Sequence, residues 1–149
     1  MTGEILVDTN VLVYAYDRAE VQKQGRALDT LRRLVASGRG RLSAQVLAEF
    51  FQAVTRKIRA PLSPADAHDQ IATLIRAWAL LPITPLVVLE AARGVRDHRL
   101  AYWDAQVWAT ARLNQIQLVL SEDFRDGQIL DGVRFVDPFA RAFDLATIG

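Results

Sequence analysis

The stretch ILVDTN, residues 5–10, decides the fold. Ile5, Leu6 and Val7 run straight into Asp8, Thr9 and Asn10, and then Val11, Leu12 and Val13 resume the apolar pattern. A short unbroken apolar run reads as a strand buried on both faces. Such strands belong to parallel sheets, whose carboxyl ends collect ligands. A carboxylate at that end suits a turn, a cap for the helix that follows, or a metal.

Working outward, residues 4–8 form a short strand and residues 11–16 begin a helix. Residues 21–38 repeat apolar side chains at Val21, Ala27, Leu28, Leu31, Leu34 and Val35 and stop at Gly38, as a helix does. GRLS is a weak strand candidate. AQVLAEFFQAVTRKI, residues 44–58, is strongly helical, with Leu47, Phe50, Phe51, Val54 and Ile58 on one broad face. The next helix opens with Ser63 as cap, Pro64 at its first position and Asp66 three residues after the cap, and it extends to about residue 80. PITP is a short strand or turn. Helices follow over 84–98 and from WDAQVWATAR onward. IQLVLS is a strand, EDFRDGQILDG a polar loop and VRFVDPF a last strand stopped by Pro138.

Strands alternating with helices predict an α/β protein, three layers deep, around a mainly parallel sheet of four to five strands. The helices at 44–59 and 63–80 make a helical insertion in that alternation. With 149 residues and no repeat or linker, the expectation is one domain over 1–149. Apolar residues make up 51%, enough for a sizeable core. The absence of cysteine excludes disulfides, thiol nucleophiles and cysteine-ligated zinc. The N-terminus lacks a basic region and a long apolar run, and no stretch approaches the ~18 apolar residues of a spanning helix. A soluble cytoplasmic protein without membrane contact is expected.

Net charge is +1, but residues 1–60 carry +4 and residues 61–149 carry −3. Most of the basic residues in the first half are arginines, which suit bidentate phosphate contact; composition alone favours a plain solvated surface.

Asp8 ends the first strand and Asp123 follows IQLVLS, so both open on one edge of the sheet. Asp104 heads an apolar stripe with Val107, Trp108 and Ala111, where a carboxylate either caps its helix or needs a partner. Glu49 reads by pattern as solvated helix surface. Taken singly, each acid has an ordinary structural role. Asp8, Asp104 and Asp123, however, can converge in one cleft, where two unit charges ~4 Å apart in a partly screened site repel by roughly 4 kcal/mol. Protons or a metal would relieve that, and all-oxygen ligands favour Mg²⁺ or Mn²⁺.

ILVDTNVLVY, LAEFFQAVTRK, AYWDAQVWATAR and LVLSEDFRDGQILDGVRFVDPF, in this order and spanning Ile5 to Phe139, resemble the PIN-domain family. The likeness is greatest to the ribonuclease toxins of bacterial toxin–antitoxin pairs, the virulence-associated protein C group. The resemblance implies a PIN-like α/β/α fold and places the family's four acids on Asp8, Glu49, Asp104 and Asp123. It thereby promotes Glu49, which the pattern dismissed. It gives Asn10 and Ser121 supporting roles, with Thr9 shaping the turn and Asp126 near enough to contribute. VDPF departs from the family's more usual Asn-Pro-Phe ending, far from the four acids in sequence.

The activity implied is metal-dependent hydrolysis of RNA phosphodiesters, with Mg²⁺ or Mn²⁺ held by Asp8, Asp104 and Asp123 and with Glu49 as ligand or water-orienting base. His68 and His98 have no part in it. With the four acids committed to metal, the rest of the chain carries +5, which suits a phosphate backbone. Tyr102 or Trp103 is placed to stack a base, although core packing is the expected role of Trp103. The partners implied are an RNA substrate, a cognate antitoxin protein inserting an acidic or basic segment near the site, and a second copy in a homodimer; helix 63–81 is a candidate interface. One rival is a phosphatase of the haloacid-dehalogenase type, which wants an acid where Asn10 stands. Another is a non-catalytic Mg²⁺-binding signalling or protein-interaction module, which leaves Glu49 idle. A degenerate binding-only family member is the third, and the presence of all four acids argues against it.

Overall fold

The computed structural model describes residues 3–149; Met1 and Thr2, where the N-terminal reading begins, lie outside the described residues. The elements are β1 (Ile5–Val7), α1 (Thr9–Tyr14), α2 (Val21–Ser37), β2 (Gly40–Ser43), α3 (Ala44–Arg56) and α4 (Pro64–Ala77). They continue as β3 (Ala79–Leu81), α5 (Pro85–His98), α6 (Tyr102–Leu113), β4 (Leu118–Leu120), β5 (Ile129–Leu130) and β6 (Val133–Val136). A single 3-10 turn covers Leu145–Thr147.

The strand order is β3-β2-β1-β4-β6-β5. All pairings are parallel except β5 with β6. Strand pleating sends Ile5 and Val7 into one apolar cluster and Leu6 into the other. The first cluster takes side chains from α1, α2, α3 and α4, including Leu12, Leu34, Phe50 and Ala67. The second takes Val87 and Ala91 of α5 and Trp108 of α6. These are the expected three layers, and β1 is the hydrophobic run that separates the two cores.

Local chemistry explains most boundaries. Gly38, at φ 71°, ends α2 with its N–H on the Leu34 carbonyl, a left-handed cap that glycine adopts without strain. Ser63 accepts the Asp66 N–H and Pro64 starts α4, as its sequence predicts. Gly94 lets α5 sit against α6: a Cβ there would meet the Trp108 ring at 2.8 Å.

Three expectations fail. The helix expected over 63–80 ends at Ala77, because Trp78 turns extended and buries its ring beneath Gly40, where a Cβ would meet it at 2.2 Å. Ala79–Leu81 then pairs with β2 as β3, so the strand lies before PITP, not in it. The polar loop EDFRDGQILDG contains β5, joined to β6 by Asp131 and Gly132 at φ 46° and 83°. Two successive positive φ values are the signature of a tight hairpin turn, for which Asp-Gly is a favoured pair. The sheet therefore has six strands instead of four to five. No helix is long and apolar enough to cross a membrane among the described residues.

Candidate active site at the carboxyl end of the sheet

From β1 the chain builds outward to β2 and β3 and then returns to the other side of β1 at β4. That reversal leaves a crevice beyond the carboxyl ends of β1 and β4. Asp8 and Ser121 are the residues that leave those two strands. Asp8 is 4% exposed. Its Oδ1 accepts the Thr9 N–H at 2.8 Å, which caps α1, and its Oδ2 accepts the Ser121 hydroxyl at 2.7 Å. The Ser121 oxygen in turn accepts from Asn10 Nδ2 at 3.2 Å and from the Asp123 N–H at 3.0 Å. Asn10 Oδ1 accepts the Glu122 N–H at 3.1 Å. Asn10 and Ser121 thus stitch the two strand ends together.

Glu49 lies on α3, whose cap Ser43 accepts the Val46 N–H at 3.1 Å. It is half-buried and turned inward: Oε1 accepts the Thr9 hydroxyl at 3.1 Å and Gln45 Nε2 at 3.2 Å. Gln45 Nε2 also donates to the Trp103 carbonyl at 3.0 Å, while Gln45 Oε1 accepts from Gln106 at 3.1 Å. The Tyr102 hydroxyl donates to Gln106 Oε1 at 2.9 Å. This buried amide chain ties α3 to α6, and sequence reading missed it. Its signal was two glutamines set among apolar neighbours, AQVLA and DAQVW. The same reading misplaced Trp103, which is 61% exposed and not in the core.

Asp104 stands in the first turn of α6 but does not cap it; Ala101 is the cap residue and makes no side-chain bond. The half-buried Asp104 carboxylate has no hydrogen-bond or ion-pair partner among the described residues. Burial raises its pKa, and the charges of Asp123 and Glu49 raise it further. Asp8 is pushed up to about 7, chiefly by burial, with Asp123 and Glu49 adding repulsion and the Ser121 and Thr9 bonds pulling the other way. Four acids separated by as much as 115 positions in the chain therefore feel one another.

No Lys, Arg or His forms an ion pair with any of the four among the described residues. Glu49 and Asp123 border a cavity of about 340 Å³, together with Thr9, Tyr14, Asp17 and Lys57. Asp17 and Lys57 were not anticipated. Asp126 is elsewhere: its Oδ1 accepts the Asp137 N–H at 2.9 Å, and it lines a larger cavity, of about 740 Å³, that touches none of the four acids. The expectation that Asp126 contributes therefore fails, because the turn after Phe124 commits its carboxylate to the end of β6. His68 is on the surface, and His98 meets Asp131 at 2.9 Å, away from the acids.

Mutually repelling carboxylates without a base are a donor set that suits a hard divalent cation. Among the described residues, no three of these side chains stand close enough together to hold a metal ion as they are placed. What fits the ion is the chemistry of the donors and their shared excess of negative charge.

A carboxylate cluster at the switch point of a parallel sheet defines a class of acid-site α/β proteins. The PIN domain family profile matches residues 5–138, and the chain belongs to that family. Solved structures agree in fold. VapC20 of Mycobacterium tuberculosis, described as a sarcin-ricin loop cleaving toxin, aligns with TM-score 0.63 at 23% identity over 88% of this chain and 99% of its own. A toxin–antitoxin complex from Klebsiella pneumoniae gives 0.64 at 16% identity, covering 91% of this chain and 98% of that one. DNA-bound VapBC from Salmonella typhimurium gives 0.60 at 17%, with coverage of 91% and 98%. No curated protein matches by sequence.

Proposed function

We propose that this protein is a metal-dependent endoribonuclease, the toxin of a toxin–antitoxin pair, with Asp8, Glu49, Asp104 and Asp123 as its working acids. The observation that carries the reading is the mutual repulsion of these four carboxylates around the β1/β4 crevice, none of them in an ion pair among the described residues. The membership in the PIN family and the toxins among its structural neighbours support it.

Asp8, Asp104 and Asp123, with Glu49, would hold Mg²⁺ or Mn²⁺. A divalent cation there supplies charge neutralisation on a phosphodiester and makes water more acidic. The protein's own groups do the rest. Ser121, Asn10 and the Thr9 N–H fix the Asp8 carboxylate. Thr9 and Gln45 both occupy Oε1 of Glu49, so Oε2 remains to orient a water and take its proton. The exposed Asp123 and half-buried Asp104 leave the crevice open to a single strand, which is easier to seat than a duplex. Exposed Trp103, beside Asp104, is placed to stack a base. A cognate antitoxin and a second copy of the chain are the partners this reading carries.

The test is cleavage of a mixed structured-RNA pool with Mg²⁺, with Mn²⁺ and with EDTA, alongside Asp8→Asn prepared identically. Cuts that disappear in EDTA and in the variant support the nuclease. A folded wild type that binds metal and cuts no RNA class points instead to a non-catalytic binding module.

A further inference from the structure

A third cavity, of about 350 Å³, lies on α2 and has the opposite character to the acid crevice. Its walls are Gln22, Lys23 and Arg26 of α2 with Phe139, Ala140 and Arg141. We propose that this cavity is a phosphate-binding subsite that holds the RNA backbone next to the phosphodiester lodged among the four acids. The inference rests on the nuclease reading and extends it to residues that the four-acid pattern does not include.

Three cations and no acid line the cavity. The Arg26 guanidinium is already oriented: Nη1 donates to the Pro138 carbonyl at 2.9 Å, and the group lies 5.7 Å from the Phe143 ring centre. Its other donors have no acceptor among the described residues. Arg141 is exposed and has neither a hydrogen bond nor an ion pair there. Lys23 lies over the rings of Tyr14 and Phe139, at 4.6 and 5.7 Å, and pairs with Glu122. Glu122 therefore takes one of three charges and leaves two for a ligand. Planar guanidiniums match phosphate oxygens in pairs, and Phe139 adds an aromatic wall, the combination that single-stranded nucleic acid uses.

Tyr14 links the walls of the two cavities. Its ring borders the acid crevice, while its hydroxyl accepts from Lys23 Nζ at 3.2 Å and donates to Glu122 at 2.8 Å. Glu122 directly precedes Asp123. A strand leaving the crevice past Asp123 thus passes Tyr14 and reaches Lys23, Arg26 and Arg141. An acidic protein segment would satisfy the same cations. RNA is favoured because the Tyr14–Lys23–Glu122 bonds tie this cavity to the acid crevice, whose proposed substrate is a phosphodiester chain.

The experiment is fluorescence anisotropy of labelled single-stranded RNA with Ca²⁺ in place of Mg²⁺, to neutralise the acids while intact RNA is followed on a gel, with oligonucleotides of about three and about twelve nucleotides. Wild type is compared with Arg141→Gln and with Arg26→Gln/Arg141→Gln, each checked for an unchanged melting curve. For the long strand, the double variant should lose about tenfold in affinity. Its log–log salt slope should flatten by about 1.4, half of that in Arg141→Gln alone, at about 0.7 per lost contact. The short strand, which fills only the crevice, should bind all three proteins equally. Unchanged long-strand binding overturns the subsite, as does an equal loss for both lengths. Loss of a polyglutamate peptide with RNA binding intact overturns it in favour of an acidic protein segment. Intact cleavage by wild type separates these failures from failure of the nuclease reading, which a wild type that neither binds nor cuts RNA would show.

Discussion

Two regions of this molecule gather acids, and they do so in opposite ways. At the β1/β4 crevice, Asp8, Glu49, Asp104 and Asp123 meet without a base, and burial and repulsion raise the Asp8 and Asp104 carboxyls. Across α5, α6 and the β5–β6 turn, Glu90, Asp97 and Asp131 are threaded onto Arg93, which bonds Glu90 at 2.7 Å and Asp131 at 2.9 Å and lies 5.2 Å from the Trp108 ring centre. Arg112 adds a 3.0 Å bond to Glu90, and His98 adds a 2.9 Å contact to Asp131. There Arg93 holds Glu90 below the ordinary carboxylate range, and His98 and Arg93 do the same for Asp131. The second cluster fastens elements together. The first carries burial and repulsion that no ion pair offsets among the described residues, the pattern expected of the binding site proposed above.

The largest test of that contrast is catalytic. Asp8→Asn should reduce RNA cleavage by more than about 100-fold, beyond the usual effect of losing a supporting partner, with the fold intact by circular dichroism. Glu90→Gln should leave cleavage unchanged.

The next test uses pH. The Asp8 carboxyl titrates near 7 when folded against 3.8 when free. Its protonated form is favoured by folding, so its contribution is complete below about pH 4 and is lost as pH rises through 7. Metal-free protein should lose up to on the order of 4 kcal/mol over that span. Asp8→Asn should flatten the melting-temperature profile, and added Mg²⁺ should restore stability on the alkaline side. In the Arg93 cluster the sign reverses. The Glu90 and Asp131 pKa values are lowered from 4.5 and 3.8, so their contribution is present above those values and disappears as pH falls below them. A profile that falls only on the acid side would refute the assignment for Asp8.

Packing comes third. Gly94→Ala drives a methyl group into Trp108, on which Arg93 rests, and should cost about 1–3 kcal/mol in chemical denaturation while cleavage at permissive temperature persists. The smallest effect is expected from Arg93→Gln. The network is partly exposed, so about 1 kcal/mol is expected, shrinking in high salt. A loss that salt does not change would mean that Arg93 acts through its contact with Trp108.

Much of this contrast was legible before any coordinates. The strand into Asp8, the caps at Ser63 and Gly38, and the parallel alternation all follow from local chemistry that tertiary contacts reinforce. The errors arose where long-range pairing overruled local pattern. Ala79–Leu81 continues the apolar rhythm of α4, and only its ladder with β2 makes it a strand. The hairpin at Asp131–Gly132 is different: its Asp-Gly signal is present in the sequence, but β5, of two residues, is too short to show a strand pattern within a polar loop. At the site, Asp8 and Asp123 were placed by strand ends alone. Glu49 was not, because a helix face that turns toward Thr9 looks like any polar face until the sheet brings Thr9 to it. Asp126 and Trp103 went astray for the same reason, since backbone turns decide which way a side chain near the site points.

The pairing of β1 with β4 joins residues more than a hundred positions apart, and β6 must lie beside β4 to complete that edge. Such distant parallel contacts form late in folding. On a ribosome, Asp123 and the strand before it emerge more than a hundred residues after Asp8, so the crevice cannot be assembled until β4 has left the exit tunnel. On the function proposed above, a growing chain carries no working site until β4 has emerged and paired with β1.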